Sequence, residues 1–173
     1  MNTRAAHSLV DGQYQARRAD CTEAARQLGV GWLREVPVHG LEETLERLTD
    51  KGIRARARHV VTEIDRVRTA LSLLRAGRMS EVGPVFSASH ASMRDDFGIS
   101  CAELDLAVEV AMAHGALGAR MTGGGSGGSA IALAPHDGTA AVTAAVIQDF
   151  ADHGFGVPDC FAVTAGGPAR REA

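Results

Sequence analysis

The stretch MTGGGSGGSAIAL, residues 121–133, decides how this chain of 173 residues folds. Five of the six positions from Gly123 to Gly128 are glycine. Ordering such a run costs conformational entropy, so it indicates a need for positive φ angles or for close backbone contacts. The apolar run at 128–134 has the length and composition of a buried strand. The sequence therefore predicts two short strands, at 116–122 and 128–134, on either side of a glycine loop.

Amphipathic patterns before this stretch predict a series of helices. We expect helices over residues 8–29, 40–49, 54–75, 80–93 and 100–115. The helix at 54–75 has the clearest apolar stripe, formed by Ala57, Val60, Val61, Ile64, Val67, Leu71 and Leu74. Ser100 and Glu103 have the spacing of a capping box, in which each side chain bonds the other residue's backbone N–H.

A further helix at 137–153 and a last strand at 155–165 complete the predicted order. Helices followed by strand, glycine loop, strand, helix and strand indicate an α+β fold. We expect a single domain over residues 1–173, with helices packed on one face of a small, largely antiparallel sheet. The length is enough to enclose a hydrophobic core.

The charge and composition exclude several classes of function. A net charge of −3 and a pI near 6.1 argue against a general nucleic-acid binder or a protein of anionic membranes. No stretch approaches the roughly 20 apolar residues of a membrane span. Three separated cysteines without a CxxC pair indicate reduced thiols, and so an expected location in the cytoplasm.

The glycine pattern alone leaves its chemistry open. Gly123, Gly125 and Gly128 satisfy the letters of a dinucleotide fingerprint, but that motif requires a helix where a strand is predicted here. No lysine follows the glycines, which excludes a P-loop. A flexible hairpin tip and a phosphate-related loop explain the pattern about equally well.

Five blocks, in order, resemble the GHMP kinases, and within them the galactokinase pattern. The blocks are HSLVDGQYQARRADC (7–21), WLREV (32–36), RARHVVTEIDRV (56–67), SHASMRDDFGISCAELD (89–105) and GARMTGGGSGG (118–128). The likeness covers nearly the whole chain. One departure lies in the loop, which usually reads GGGFGGC in galactokinases, whereas Ser126 and Ser129 stand here in place of Phe and Cys.

The resemblance implies a fold and a set of site residues. The fold would be the GHMP kinase C-terminal domain, a ferredoxin-like sandwich with added helices that forms one wall of an active-site cleft. Tyr14 would contact the sugar through its hydroxyl. The residues expected beside the phosphate pocket are Thr122, Gly123, Gly124, Gly125, Ser126, Gly127 and Gly128.

The resemblance also implies that the substrates of the complete enzyme are galactose and ATP with Mg²⁺. The family's catalytic Asp, its Ser-rich nucleotide loop and most of its Mg²⁺ contacts belong to an N-terminal lobe that does not match this chain. We therefore expect no catalytic residue, no metal ligand and no tightly bound cofactor here, and an inactive isolated chain. The alternative is a non-catalytic binding or regulatory module, or the remnant of a truncated gene, with a homodimer possible through the exposed cleft face.

Three other groups of residues are better explained by structure than by chemistry. Ser89, His90, Asp95 and Asp96 could suggest a triad or a metal pair, but sequence neighbours rarely have that geometry. His59 and Glu63 have the spacing of an i,i+4 pair. We expect Arg54, Arg56 and Arg58 to form a solvated face.

Overall fold

The computed structural model describes residues 1–6, 12–164 and 166–167. Its six α-helices are α1 (Gln13–Leu28), α2 (Leu41–Leu45), α3 (Lys51–Arg75), α4 (Val82–Ser92), α5 (Ala102–Ala113) and α6 (Thr139–Asp152). A π-helical turn, Met93–Phe97, extends α4. Strands β1 (Gly118–Thr122) and β2 (Ser129–Leu133) lie between α5 and α6. The predicted α+β fold is confirmed, and the part of the 7–21 block at 7–11 lies outside the described residues.

The sheet is small and antiparallel, as predicted. β1 pairs with β2 from Gly118 opposite Leu133 to Thr122 opposite Ser129. On the other side of β2, Asn2 bridges both Ser129 and Asp159. The predicted last strand at 155–165 is wrong for the described residues, because Asp159 makes a single bridge and no ladder continues from it.

A glycine pair sets how closely α4 approaches the sheet. A Cβ on Gly83 would lie 2.0 Å from the Leu117 carbonyl oxygen, and one on Gly118 would lie 2.0 Å from the Gly83 carbonyl oxygen. No side chain fits at either position, so the helix backbone packs directly against β1. This contact brings the end of α4 under the glycine loop.

Two apolar clusters form the interior. One lies between the sheet, α5 and α6, and includes Leu104, Met121 and Phe150. The other lies between α1, α2 and α3, and includes Leu45 and Ala57. These side chains are almost completely buried, and their burial supplies the main driving force for folding.

The long helix α3 buries only the first half of its apolar stripe. Ala57 and Val61 are buried, whereas Val67, Leu71 and Leu74 are exposed by 60%, 45% and 47%. The periodicity predicted the helix correctly, since α3 begins at Lys51 and ends at Arg75. It could not predict that no described element covers the second half.

The predicted capping box of α5 is wrong. The helix begins at Ala102 after an N-cap at Cys101, which makes no side-chain cap bond. The Ser100 hydroxyl instead donates to the Asp105 carboxylate. That bond ties the segment before α5 to the helix body, a role that matters for the glycine loop.

Candidate functional site

Tyr14 lies at the start of α1 and is open to solvent. The helix follows Gly12, which has a φ of 104°. Tyr14 is the second helical residue, and 79% of its surface is exposed. An exposed phenol can donate and accept hydrogen bonds while its ring packs on a ligand. Its predicted contact with a sugar stays a prediction.

The glycine loop, residues 122–128, is held from behind by backbone contacts. The Ser126 N–H donates to the Ile99 carbonyl at 2.8 Å. The Gly128 carbonyl accepts from the Thr3 N–H at 2.9 Å and from the Thr3 hydroxyl at 2.6 Å. The Gly128 N–H donates to the Ala5 carbonyl at 3.4 Å. Two separate segments of chain therefore fix the second half of the loop.

These contacts explain why positions 125 and 127 must be glycine. Gly125 has a φ of 89°, and a Cβ there would lie 2.4 Å from the Ile99 carbonyl oxygen. Gly127 has a φ of 134°, and its Cβ would lie 2.9 Å from the carbonyl oxygens of Ala5 and Ala6. Both positions combine a backbone angle that favours glycine with a close approach.

The first half of the loop is open. Thr122, Gly123 and Gly124 are exposed. Apart from its chain neighbours, a Cβ built on Gly123 or on Gly124 would find no atom of the described residues within 4 Å. Ligand could therefore reach the backbone of this half without displacing any part of the described chain.

One side-chain contact brings the loop and Tyr14 together. The Ser126 hydroxyl donates to the Gln13 side-chain oxygen at 3.3 Å, and Gln13 directly precedes Tyr14. Ser126 adopts a φ of 56°, a left-handed conformation that is uncommon outside glycine. The contact thus joins the start of α1, where Tyr14 lies, to the glycine loop, and Tyr14 and Ser126 are 112 residues apart in the chain.

His90 accepts a hydrogen bond from Met121, the residue directly before the glycine loop. The Met121 N–H donates to His90 Nδ1 at 3.2 Å. The proton of the neutral ring is therefore on Nε2, which lies 3.2 Å from Asp105 Oδ1. Burial lowers the pKa of His90, and the nearby Asp105 carboxylate opposes that shift only in part. Neutral His90 supports the loop, whereas protonation of Nδ1 would break the bond to Met121.

Asp105 links the two sets of contacts that support the glycine loop, one through His90 and one through Ile99. It contacts His90, which holds Met121, and it accepts from Ser100, which follows Ile99 in the chain. Ile99 in turn holds Ser126. The prediction that His90 has a structural role is confirmed, and its partner is Met121, the last residue but one of β1, directly before the loop.

A partly buried carboxylate lies next to this support. Glu63 on α3 accepts from Ser89 and pairs with Arg66 at 2.6 Å and Arg120 at 3.3 Å. Burial raises the pKa of Glu63, but the bonds from Ser89 and Arg66 and the nearby arginine charges outweigh burial, so the net pKa is lowered. The predicted pair of His59 with Glu63 is not what holds either residue: the His59 ring stacks on Phe97 and its Nδ1 lies 3.0 Å from the Ser92 hydroxyl.

The prediction that Arg54, Arg56 and Arg58 form a solvated face is wrong. These arginines bind backbone carbonyl groups and carboxylates. Arg54 donates to the Leu48 carbonyl, and Arg58 pairs with Glu42 at 2.9 Å. Arg56 donates to the Asp96 carbonyl at the end of the π-helical turn. The bonds from Arg54 and Arg56 complement backbone carbonyls, which carry partial negative charge where helices and turns end.

Arg17 makes a similar contact from α1. It donates to the Phe97 carbonyl at 2.7 Å and to the Gly98 carbonyl at 3.3 Å. Gly98 adjoins Ile99, so α1 is tied both to the segment that supports the loop and, through Gln13, to the loop itself. The position of Tyr14 is therefore fixed relative to the loop by two independent contacts.

Sequence reasoning missed the supporting residues Thr3, Ala5, Ile99 and Asp105. Three of them act mainly through backbone groups, which carry no sequence signal. The role of Asp105 was not predicted, because the spacing of Ser100 and Glu103 indicated a capping box. Within residues 1–6, 12–164 and 166–167, no group of three or more His, Cys, Asp or Glu could hold a metal ion.

Comparison with known proteins identifies the family. Residues 70–152 match the model described as GHMP kinases C terminal. Galactokinase of Streptomyces coelicolor is 50% identical over 172 residues, which cover 99% of this chain and 44% of that protein. Residues 70–152 of this chain therefore form a GHMP kinase C-terminal domain. Its likeness is to galactokinases.

Two further comparisons agree with that assignment. Human galactokinase is 45% identical over 141 residues, which cover 78% of this chain and 36% of that protein. The crystal structure of Lactococcus lactis galactokinase complexed with galactose matches with a TM-score of 0.82 at 35% identity, covering 88% of this chain and 40% of that one. This chain thus spans less than half the length of the relatives it matches, and its predicted C-terminal-domain fold is confirmed.

None of the helices in the described part of the chain is both long and apolar enough to cross a membrane.

Proposed function

We propose that this chain supplies the C-terminal lobe of an ATP-dependent galactokinase, a cytoplasmic enzyme that phosphorylates galactose at its anomeric hydroxyl. The observation that carries the proposal is the Ser126–Gln13 contact, which holds the glycine loop against the residue before Tyr14, while Tyr14 and the front half of the loop are exposed. The similarity to galactokinases, one of them solved with galactose, supports the choice of sugar.

Each half of this surface has a part in the proposal. Tyr14 would bond a sugar hydroxyl through its own hydroxyl and pack its ring alongside the sugar. The glycine loop would border the phosphates of ATP, since successive backbone N–H groups at positive φ can form an anion-binding concavity. Its fixed rear half would keep the open front half in place during transfer.

Phosphoryl transfer also needs charge neutralisation by Mg²⁺ and a group that orients the attacking hydroxyl. The described residues contain no cluster of three metal-binding side chains. Because the chain spans 44% of the Streptomyces coelicolor galactokinase, we infer that residues outside the matching stretch complete the site, and that the chain alone does not turn over.

A chimera tests the proposal. In the galactokinase of Streptomyces coelicolor, the 172-residue matching stretch is replaced by the corresponding residues of this chain. We expect the chimera to phosphorylate galactose at a rate typical of kinases, on the order of 1–100 per second. A folded chimera without activity would contradict the proposal.

Tyr14→Phe in the same chimera tests the sugar contact. Loss of one neutral hydrogen bond, worth about 1 kcal/mol, should raise the KM for galactose about fivefold. The KM for ATP should not change, because the phenol is assigned to the sugar. An unchanged KM for galactose would contradict the proposed contact between Tyr14 and the sugar.

The isolated chain gives the complementary result. Mixed with ATP, Mg²⁺ and galactose, it should release no ADP above background. Nucleotide affinity should be no tighter than millimolar, roughly −4 kcal/mol. Turnover by the isolated chain at kinase rates would show that the site is complete without a second lobe.

A second candidate is a non-catalytic module that binds a protein partner or a second copy. It is favoured by a groove of about 630 Å³ between α1 and α3, beside Trp32, whose side chain is 65% exposed. Exposed apolar surface of this kind marks interaction sites. The module hypothesis predicts a folded but inactive chimera. If the module pairs through the cleft face, the isolated chain should form a homodimer that Tyr14→Asp disrupts.

A further inference from the structure

The groove between α1 and α3, with a volume of about 630 Å³, lies away from the glycine loop. It is lined by residues 18–26 of α1, by residues 30–34 of the connection that follows, and by Val60 and Ile64 of α3. Gln13, which contacts the loop, is the first residue of α1. At 1.5 Å per residue, the groove begins roughly 8 Å and ends roughly 20 Å further along the helix.

Apolar side chains predominate in this lining. Ala25 and Leu33 are buried, at 6% and 5% exposure, and Cys21, Val60 and Ile64 are half-buried. Concave apolar surfaces of about 300–1,000 Å³ are typical of sites for small organic molecules. The volume and the lining therefore suit an organic ligand with a large apolar body, and not an inorganic ion or a sugar.

Trp32 presents its ring on a backbone that is already fixed. The Val30 N–H donates to the Ala25 carbonyl at 3.0 Å, and the Glu35 N–H donates to the Trp32 carbonyl at 2.9 Å. The Glu35 carboxylate accepts from the Gly31 N–H at 3.1 Å. The Trp32 side chain is nevertheless 65% exposed. It can therefore pack on an aromatic ligand without the cost of ordering a loop.

The charges that line the groove are all positive. Arg18, Arg26 and Arg34 line it, whereas no Asp or Glu does in the part of the chain that the structure describes. Arg26 pairs with Glu23 at 2.6 Å, and the Arg34 guanidinium lies 5.5 Å from the centroid of the Trp32 ring. Among the described residues, no carboxylate pairs with Arg18 or with Arg34. Both exposed guanidinium groups are therefore complementary to an anionic ligand.

We propose that this groove binds a small aromatic carboxylate, a ligand that is neither of the substrates of the proposed function. Its rings would pack on Trp32 and on the apolar lining, and its carboxylate would pair with Arg18 or Arg34, since a guanidinium group can bond both carboxylate oxygens. A nucleotide would also offer an aromatic ring and an anion. Its ribose, however, would leave hydroxyl groups against apolar side chains, which is unfavourable.

Binding of 2-naphthoate tests the proposal. Trp32 is the only tryptophan in the sequence, so its indole N–H gives a single signal in a proton–nitrogen NMR spectrum. 2-Naphthoate should shift this signal, with a Kd on the order of 0.1 mM for a ligand of this size. 2-Naphthamide has the same rings without the charge and should bind at least about fivefold more weakly. Equal binding of the acid and the amide, or no shift at millimolar acid, overturns the proposal.

Variants separate the contribution of the ring from that of the charge. Trp32→Ala should weaken the binding of 2-naphthoate about tenfold in calorimetry. The double variant Arg18→Gln, Arg34→Gln should weaken the acid to the affinity of the amide and leave the amide unchanged. All three side chains are exposed, so Tm should stay within about 2 °C.

Arg75→Gln is the matched control for charge. Arg75 is exposed and lies roughly 16 Å further along α3 than Ile64, at 1.5 Å per residue. Its substitution should leave the Kd of 2-naphthoate unchanged. A loss of affinity as large as in the double variant would indicate general attraction of anions to the chain and would overturn the proposal.

The same measurements test the other possible occupants. AMP should bind the groove more weakly than 2-naphthoate, and tighter binding of AMP would overturn the choice of an apolar acid. Self-association of the chain that 2-naphthoate reverses would assign the groove to a second copy and would also overturn the proposal. In the Streptomyces coelicolor chimera, 2-naphthoate should bind with the same Kd and Trp32→Ala should weaken it equally. Loss of binding in the chimera would mean that the rest of the enzyme covers the groove, against the proposal.

Discussion

The two halves of the glycine loop differ in what surrounds them. From Gly125 to Gly128, the backbone bonds Ile99, Ala5 and Thr3, and added Cβ atoms at two positions would clash with carbonyl oxygens. At Gly123 and Gly124, no atom in the part of the chain that the structure describes lies within 4 Å of an added Cβ, chain neighbours apart.

This difference separates two reasons for keeping glycine. In the rear half, the fold requires glycine at 125 and 127, because an added Cβ would clash at either position. In the front half, the described residues make little demand on side-chain size, so a requirement for glycine beyond the left-handed φ of Gly123 would come from a ligand. Substitutions in the two halves should therefore affect stability and activity differently.

Gly125→Ala should have the largest effect on stability. Its Cβ would lie 2.4 Å from the Ile99 carbonyl oxygen and 2.8 Å from the Ile99 Cβ, at a φ of 89°. Overpacking and left-handed strain together should lower the free energy of unfolding by about 3 kcal/mol, measured by urea denaturation. A loss below about 1 kcal/mol would mean that the rear half is not tightly held.

Acid should weaken the support of the loop through His90. Burial lowers the pKa of His90 and of His59 below the ordinary value of 6.5, so the unfolded chain binds more protons as the pH falls through 6.5. The stabilising contribution is complete above pH 6.5 and is lost as the pH falls from there towards the lowered pKa values.

His90→Asn separates the two histidines. Its side-chain oxygen can accept from the Met121 N–H in place of Nδ1 but does not titrate. The variant should lose less stability than the parent between pH 6.5 and 5, in denaturation curves recorded at each pH. Identical losses of stability in the variant and the parent would show that protonation of His90 does not cause the loss.

Gly123→Ala should have a smaller effect. The position has a φ of 87° but open space, so only the left-handed conformation is penalised. We expect a loss of about 1 kcal/mol in the free energy of unfolding. A loss as large as that of Gly125→Ala would indicate a contact that the described residues do not make.

Gly124→Ala should have the smallest effect on stability. Its φ lies outside the left-handed range and its surroundings are open. The free energy of unfolding should change by no more than about 0.5 kcal/mol, as for ordinary surface substitutions. This variant is the matched control for the other two.

Much of the fold could be predicted from the sequence. The long helix, the two strands and α6 follow from periodicity, and Gly29 and Gly77 end α1 and α3 in left-handed conformations. The glycine run predicted a special backbone, and positive φ angles at four of its glycines confirm it.

The support of the site could not be predicted. The bonds from Ile99 and Ala5 use carbonyl groups, which every residue has. The Met121–His90 bond joins residues 31 positions apart, and nothing in periodicity marks such a partner. Arg56 caps the π-helical turn, so its role depends on where that turn ends. The sequence pattern did not predict this end.

The most direct test of the proposed cleft wall is Gly124→Leu in the Streptomyces coelicolor chimera. The larger side chain should leave Tm of the isolated chain within about 2 °C, because the open position requires no repacking. In the chimera, it should lower kcat/KM at least about 100-fold by displacing substrates from the loop. Full activity with the same Tm would show that the front of the glycine loop does not face the substrates.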